Sequence, residues 1–285
     1  GSAEGWSGIA QIMASYFEKE FCDKENTLIY DHLNADGTPD LQMRPNQLYC
    51  FELISDSDFK QKVTRRVWEE LVYPWGVASL AQWDPQFHPQ HENWHYYHKD
   101  DAYHNGTIWL WNNGEAMQRM IEYGQKEEAW KLFKNMNRQA LHEGAVGSLS
   151  ENADAHPREG KNWVNRSGTF LQAWSNAEHL RVWYQYFLGI RPDMLNGRII
   201  IDPQLPAEVT SLETSVKIGG GTLHYKYSDG KVKINLEDID AEVVIIDGPA
   251  EDIDPSIFEG VQFCQPDPLE SYPCFETYYE TALTY

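Results

Sequence analysis

Ile108-Trp109-Leu110-Trp111-Asn112-Asn113-Gly114-Glu115-Ala116-Met117-Gln118-Arg119-Met120-Ile121 and, beyond Gly124, Ala129-Trp130-Lys131-Leu132-Phe133-Lys134-Asn135-Met136 decide the fold class of this chain. Apolar residues fall on one helical face at Ile108, Trp111, Met117, Met120 and Ile121, and again at Ala129, Trp130, Phe133, Met136 and Ala140. Gly124 between them is a helix stop. Two amphipathic helices joined by a short turn predict an antiparallel helical hairpin.

The same period extends outward. Ile9, Ile12, Met13, Tyr16, Phe17 and Phe21 share one face of a first helix. Pro45 opens a shorter helix carrying Leu48, Phe51 and Glu52. Asp58 caps another with Phe59, Val63, Val67 and Leu71 at intervals of four, closed by Pro74. Ala173, Trp174, Ala177, Leu180, Tyr184 and Phe187 form a last stripe, ended by Gly189 and Pro192. Between these lie two loops, 76–102, dense in aromatic and histidine residues, and 144–168, rich in Gly, Ser, Asn and Asp. From Arg198 the period drops to two: Val232, Ile234 and Leu236 alternate with polar neighbours, and Ser228-Asp229-Gly230 marks a hairpin turn. The expectation is a helical portion, 1–196, and a small antiparallel β module with an acidic tail, 197–285.

Composition narrows the partners. The 285 residues carry 23 Lys and Arg against 44 Asp and Glu, a net charge of −21, which repels a phosphate backbone. Nucleic acid is excluded as a partner. No apolar run reaches the roughly 18 residues a membrane helix needs, so neither is a membrane expected. Cys22, Cys50, Cys264 and Cys274 are too scattered for a disulfide framework and read as reduced thiols; only Cys264 and Cys274 are near enough in sequence for a bridge. Gly1-Ser2 reads as a cloning remnant, which leaves the native start outside the sequence. His88, His91, His95 and His98 have metal-like spacing, but Pro89 opposes a helix there and no metal is expected.

Eleven Trp and sixteen Tyr, placed beside carboxylates and amides at loop–helix junctions, are the materials of a saccharide site: flat apolar platforms edged by hydrogen-bonding groups. Four segments then carry a resemblance. Arg44-Pro45-Asn46-Gln47-Leu48, Tyr103-His104-Asn105-Gly106-Thr107-Ile108-Trp109-Leu110-Trp111, Gly147-Ser148-Leu149-Ser150-Glu151 and Gln172-Ala173-Trp174-Ser175-Asn176-Ala177-Glu178 resemble, in order and spacing, the motifs of the amylo-α-1,6-glucosidase domain of glycogen debranching enzymes. That resemblance implies an (α/α)6 toroid of the six-hairpin glycosidase type and inverting hydrolysis of α-1,6-linked glucose stubs on glycogen or limit dextrin. Inversion uses one carboxyl as acid and one carboxylate as base, about 6.5–9.5 Å apart, and no cofactor.

By the motif, Glu151 is the general base. Asp101, Tyr103, His104, Trp109, Trp111, Gln172, Trp174, Arg44 and Asn46 are the implied substrate contacts. Arg44 and Asn46 orient either the loop or the sugar, His104 is either a sugar ligand or a structural histidine, and Glu178 either faces the cleft or pairs with Arg181. The family's acid, an Asp in a Trp-Met-Asp type motif upstream of Arg44, has no counterpart. Six or seven helices also fall short of the twelve a toroid needs. The resemblance therefore implies the C-terminal half of a toroid, with the acid on a missing N-terminal segment or a covering chain and Asp101 as the nearest internal substitute. A catalytically silent glucan-binding fragment and a glucoamylase- or trehalase-type enzyme are the rival readings. Glycogen use and free thiols point to the cytoplasm, or to a periplasm if a leader has been removed.

Overall fold

The computed structural model describes residues 3–94, 96–246 and 252–267. His95, Cys274 and most of the acidic tail lie outside them, and so does the Cys264–Cys274 pairing. Among the described residues the cysteines are Cys22, Cys50 and Cys264, all free.

Helix α1 spans Ala3–Phe21, followed by a hairpin of β1 (Cys22–Asp23) and β2 (Leu28–Ile29). A 3-10 helix, Pro45–Leu53, buries Pro45, Gln47, Leu48 and Phe51. Helix α2, Ser57–Leu71, buries the predicted Phe59, Val63, Val67 and Leu71. Its cap is Asp56, not Asp58: the Asp56 carboxylate accepts from the Phe59 N–H at 3.0 Å, and Asp58 lies in the first turn.

After the hairpin of β3 (Val72–Tyr73) and β4 (Gly76–Val77) comes a short α3, Lys99–Tyr103. The predicted helical hairpin is α4, Asn112–Glu122, against α5, Lys126–Arg138, with Gly124 at φ 76° in the turn. Helix α4 is buried from Asn112 to Ile121, because α2, α5, α6 (Ala173–Val182) and the 3-10 helix pack around it. No helix among the described residues is long and apolar enough to cross a membrane.

Three expectations need correction. Ile108 and Trp111 do not belong to α4. Ile108–Trp109 is strand β5, whose backbone groups pair with β6 (Asn152–Ala153), and β6 in turn pairs with β7 (Arg166–Ser167). The loop 144–168 thus contributes two strands.

The stripe on α6 is not core along its length either: Trp174, Leu180 and Tyr184 are exposed, while Ser175, Val182 and Phe187 are buried. The apolar face of α1 behaves similarly, with Trp6, Ile9, Ile12, Met13 and Tyr16 each at least half exposed.

The β region is only partly antiparallel. β10 (Ser211–Ile218), β11 (Gly221–Ser228) and β12 (Lys231–Glu237) make the expected meander, turning at Asp229 (φ 50°) and Gly230 (φ 78°). β8 (Ile190–Asp193) pairs antiparallel with β9 (Arg198–Ile201), but β13 (Glu242–Ile245) runs parallel to β9. That second sheet straddles the expected boundary at residue 196, and Ile190, Ile199, Ile201, Leu223 and Tyr225 join the helices in one apolar core.

Candidate functional site

The small sheet β5–β6–β7 builds the site. Its register sets Trp109 opposite Asn152 and Asn152 opposite Ser167. Glu151 precedes Asn152, and its own backbone is held on both sides: its carbonyl accepts from the Leu110 N–H at 3.1 Å and its N–H donates to the Thr169 carbonyl at 2.8 Å. The carboxylate is placed as firmly. Oε2 accepts from the Thr169 N–H at 3.1 Å, and the Tyr103 hydroxyl donates to Oε1 at 3.5 Å. Burial and the charge of Glu151 raise the Tyr103 pKa, so its proton stays available for that bond.

From Tyr103 an aromatic wall runs outward. Tyr103 lies 4.6 Å from Trp109, His104 stacks on Trp109 at 5.3 Å, and Trp109 meets Trp174 of α6 at 6.4 Å. The Trp109 indole N–H donates to the Tyr103 carbonyl at 2.8 Å, which fixes the ring plane. On its other side Tyr103 stacks on His91 at 5.0 Å, and His91 Nδ1 is 2.7 Å from the Ser167 hydroxyl.

This wall closes one side of a pocket of about 960 Å³. Arg44, Asn46, His104, Trp109, Trp111 and Trp174 line it, together with Asp31, Gln42, Tyr49, Glu115, Glu178 and Arg181. Glu151, Asp101, Tyr103 and Gln172 are not among its lining residues. Asp101 lies within α3, its N–H donating to the His98 carbonyl, and Gln172 holds the start of α6 through Leu149 and Asn176.

Arg44 is a staple of the loop. Its guanidinium donates to the carbonyls of Ser79 and His104, to Gln42 Oε1 at 2.7 Å and to Asn105 Oδ1 at 2.9 Å. Asn46 donates to Asp31 at 2.6 Å. Glu178 does both things considered for it: it lines the pocket and pairs with Arg181 at 2.8 Å.

Sequence reading missed Glu115, Tyr49 and the Asp31 rim. Glu115 is a buried acid on the pocket floor, and burial pushes its carboxyl up to about 7 against the pull of Arg119 and Arg181. Arg119 is 2.7 Å from one of its oxygens and Arg181 3.5 Å from the other. Through these two contacts Glu115 ties α4 to α6 while still lining the pocket. Its signal in the sequence was its pairing with Arg119 at i, i+4 on the face of α4 opposite Met117, Met120 and Ile121.

Asp31, His32 and Asp40 bring one potential ligand atom each within 4.8 Å of one another; His32 is exposed and Asp40 half-buried, and Asp31 is already engaged by Asn46. Of the histidine run, His91 Nδ1 meets the Ser167 hydroxyl at 2.7 Å and His98 caps α3.

A family profile described as amylo-alpha-1,6-glucosidase matches residues 2–181. Among solved structures, a GH78 family rhamnosidase of Bacillus sp. GL1 superposes with a TM-score of 0.55 at 16% identity, over 86% of this chain and 23% of the rhamnosidase. The chain therefore shares its fold with about a quarter of that larger protein. Neutral trehalase Nth1 from Saccharomyces cerevisiae aligns at 16% identity with a TM-score of 0.42, over 67% of this chain and 35% of the trehalase. No protein of curated function matches the sequence.

Proposed function

Because the chain belongs to the amylo-α-1,6-glucosidase family, we propose that it serves the hydrolysis of α-1,6-linked glucose stubs on glycogen-like α-glucans, with inversion, as the C-terminal half of an (α/α)6 toroid. The observation that carries this is the fixing of Glu151 by the Thr169 N–H and by the hydroxyl of Tyr103, whose ring packs against Trp109 of the pocket wall. A carboxylate held by one backbone N–H and one phenol keeps two lone pairs free to accept a proton from water.

In this reading water attacks the anomeric carbon from the Glu151 side while the leaving oxygen takes a proton from an acid on the opposite face. Trp109, Trp111 and Trp174 offer ring faces to the sugar, His104 and Asn46 offer hydrogen bonds, and Arg44 holds the loop that presents them. The acid in this reading comes from a segment outside this chain, because the family's Trp-Met-Asp type motif has no counterpart upstream of Arg44. The exposed apolar faces of α1 and α6 are what further helices of a toroid, or a covering chain, would bury. The setting is the cytoplasm, where free cysteines persist.

α-Glucosyl fluoride tests the base without the acid, because fluoride departs with little protonation. Turnover by the chain and its loss, about 10³-fold, in Glu151→Gln would support the role. A folded chain and variant that are equally inert would leave a glucan-binding fragment as the better description.

A further inference from the structure

We propose that a second pocket, on the far side of the segment that holds Glu151, binds a neutral oligosaccharide arm of the same α-glucan, a step that rests on the saccharide reading of the first pocket. The cavity measures about 620 Å³ and is bordered by Trp94, Trp163, Phe170, Asn162, Asn165 and Lys161. Three aromatic groups in one polar cavity match a ligand with apolar faces and hydroxyl edges. Trp163 is a fixed platform: the Arg138 guanidinium lies 4.2 Å over its ring and Trp75 packs edge-on at 5.6 Å. Trp94 and Phe170 are 62% and 51% exposed, with Trp94 set edge-on against His98 at 4.9 Å.

Charge decides what kind of ligand fits. The walls include three acids, Glu92, Glu143 and Asp154, and three bases, Arg158, Lys161 and Arg166. Arg158 is paired with Asp154 at 3.3 Å and Arg166 with Glu143 at 3.6 Å. With its guanidinium groups answered by carboxylates, the cavity has no field to hold a phosphate. The Asn162 and Asn165 amides make no side-chain hydrogen bonds among the described residues, and hydroxyls are what they can pair with.

One strand and its turn lie between the second cavity and Glu151. Arg166, Ser167 and Phe170 face the second cavity, while Gly168 and Thr169 touch Glu151. An arm seated there lies one strand's thickness from the base.

The test is calorimetric titration of the whole chain with maltotetraose, an α-1,4 oligomer that an α-1,6-glucosidase leaves intact. Two sites are expected. Trp94→Ala, and independently Asn162→Ala should the first disturb folding, abolish or weaken about tenfold only the second, and Trp174→Ala only the first. Both affinities should be insensitive to salt. If Trp174→Ala removes binding while Trp94→Ala and Asn162→Ala change nothing, the second pocket is no saccharide site and the function proposed above stands. If the Trp94 and Asn162 variants remove the only binding seen, the second pocket is supported and the glucan role of the first fails. Binding that collapses between low and high salt, or none in any form, overturns the proposal.

Discussion

Gly168 and Glu151 are in closer contact than any side chain at position 168 would allow: a Cβ on the glycine would lie 2.5 Å from Glu151 Oε2 and 2.8 Å from Asn152 Oδ1. The glycine also sits at φ 67°, where L residues are strained. Gly168→Ala is expected to lower stability by about 2 kcal/mol and to displace the carboxylate. Urea denaturation and α-glucosyl fluoride turnover, measured together, check it; a variant as stable and as active as the parent would show that the contact is not tight in solution.

Arg44→Lys should cost about 2–3 kcal/mol, although the charge is kept, because an ammonium cannot span the Gln42, Ser79, His104 and Asn105 acceptors that a guanidinium fork reaches. Thermal unfolding reads the stability. Weaker isomaltotriose binding would accompany it, since His104 and Trp109 stand on the same loop. An unchanged melting curve would argue that the loop holds itself.

Trp174→Ala separates recognition from folding. The side chain is 49% exposed, so stability should move by less than about 0.5 kcal/mol, whereas isomaltotriose affinity falls about tenfold. Should affinity survive the truncation, Trp174 is no part of the sugar site.

Two buried histidines give a pH dependence. Burial lowers His156 from 6.5 to about 3 and His179 from 6.5 to about 4; His179 stacks on Phe133 at 4.1 Å. Both are neutral in the native state and charge in the unfolded chain below 6.5. Their contribution to stability is present above pH 6.5 and is lost as pH falls toward 4 and then 3, by about 1.4 kcal/mol per pH unit for each. Urea midpoints at pH 7.5, 6 and 5 should fall for the parent and fall less steeply for His179→Gln; parallel curves would contradict the assignment.

The helices were legible because their periods are long. Met117, Met120 and Ile121 repeat on a face that α4 buries, and Phe59 to Leu71 do the same on α2. Two-residue strands such as Ile108–Trp109 and Asn152–Ala153 have no period to read, and their pairing joins residues more than forty positions apart. Glu151 could be picked out by motif, yet its partners Thr169 and Tyr103 could not, because one is a backbone N–H and the other is brought in by a short helix. Glu115 was hidden for a different reason: with Asn112, Gln118, Arg119 and Glu122 it forms a polar helix face that reads as solvated until α6 and its Arg181 are seen packed on it.

The parallel pairing of β13 with β9 places the whole β10–β12 meander between two neighbouring strands of one sheet. During synthesis β9 leaves the ribosome with β8 already beside it and waits for β13 with an open edge, so the last strand is a latch that can shut only after the meander has been made. A stalled chain released between residues 201 and 242 would carry an unsealed edge rich in isoleucine, Ile199, Ile200 and Ile201, and quality control would find it there.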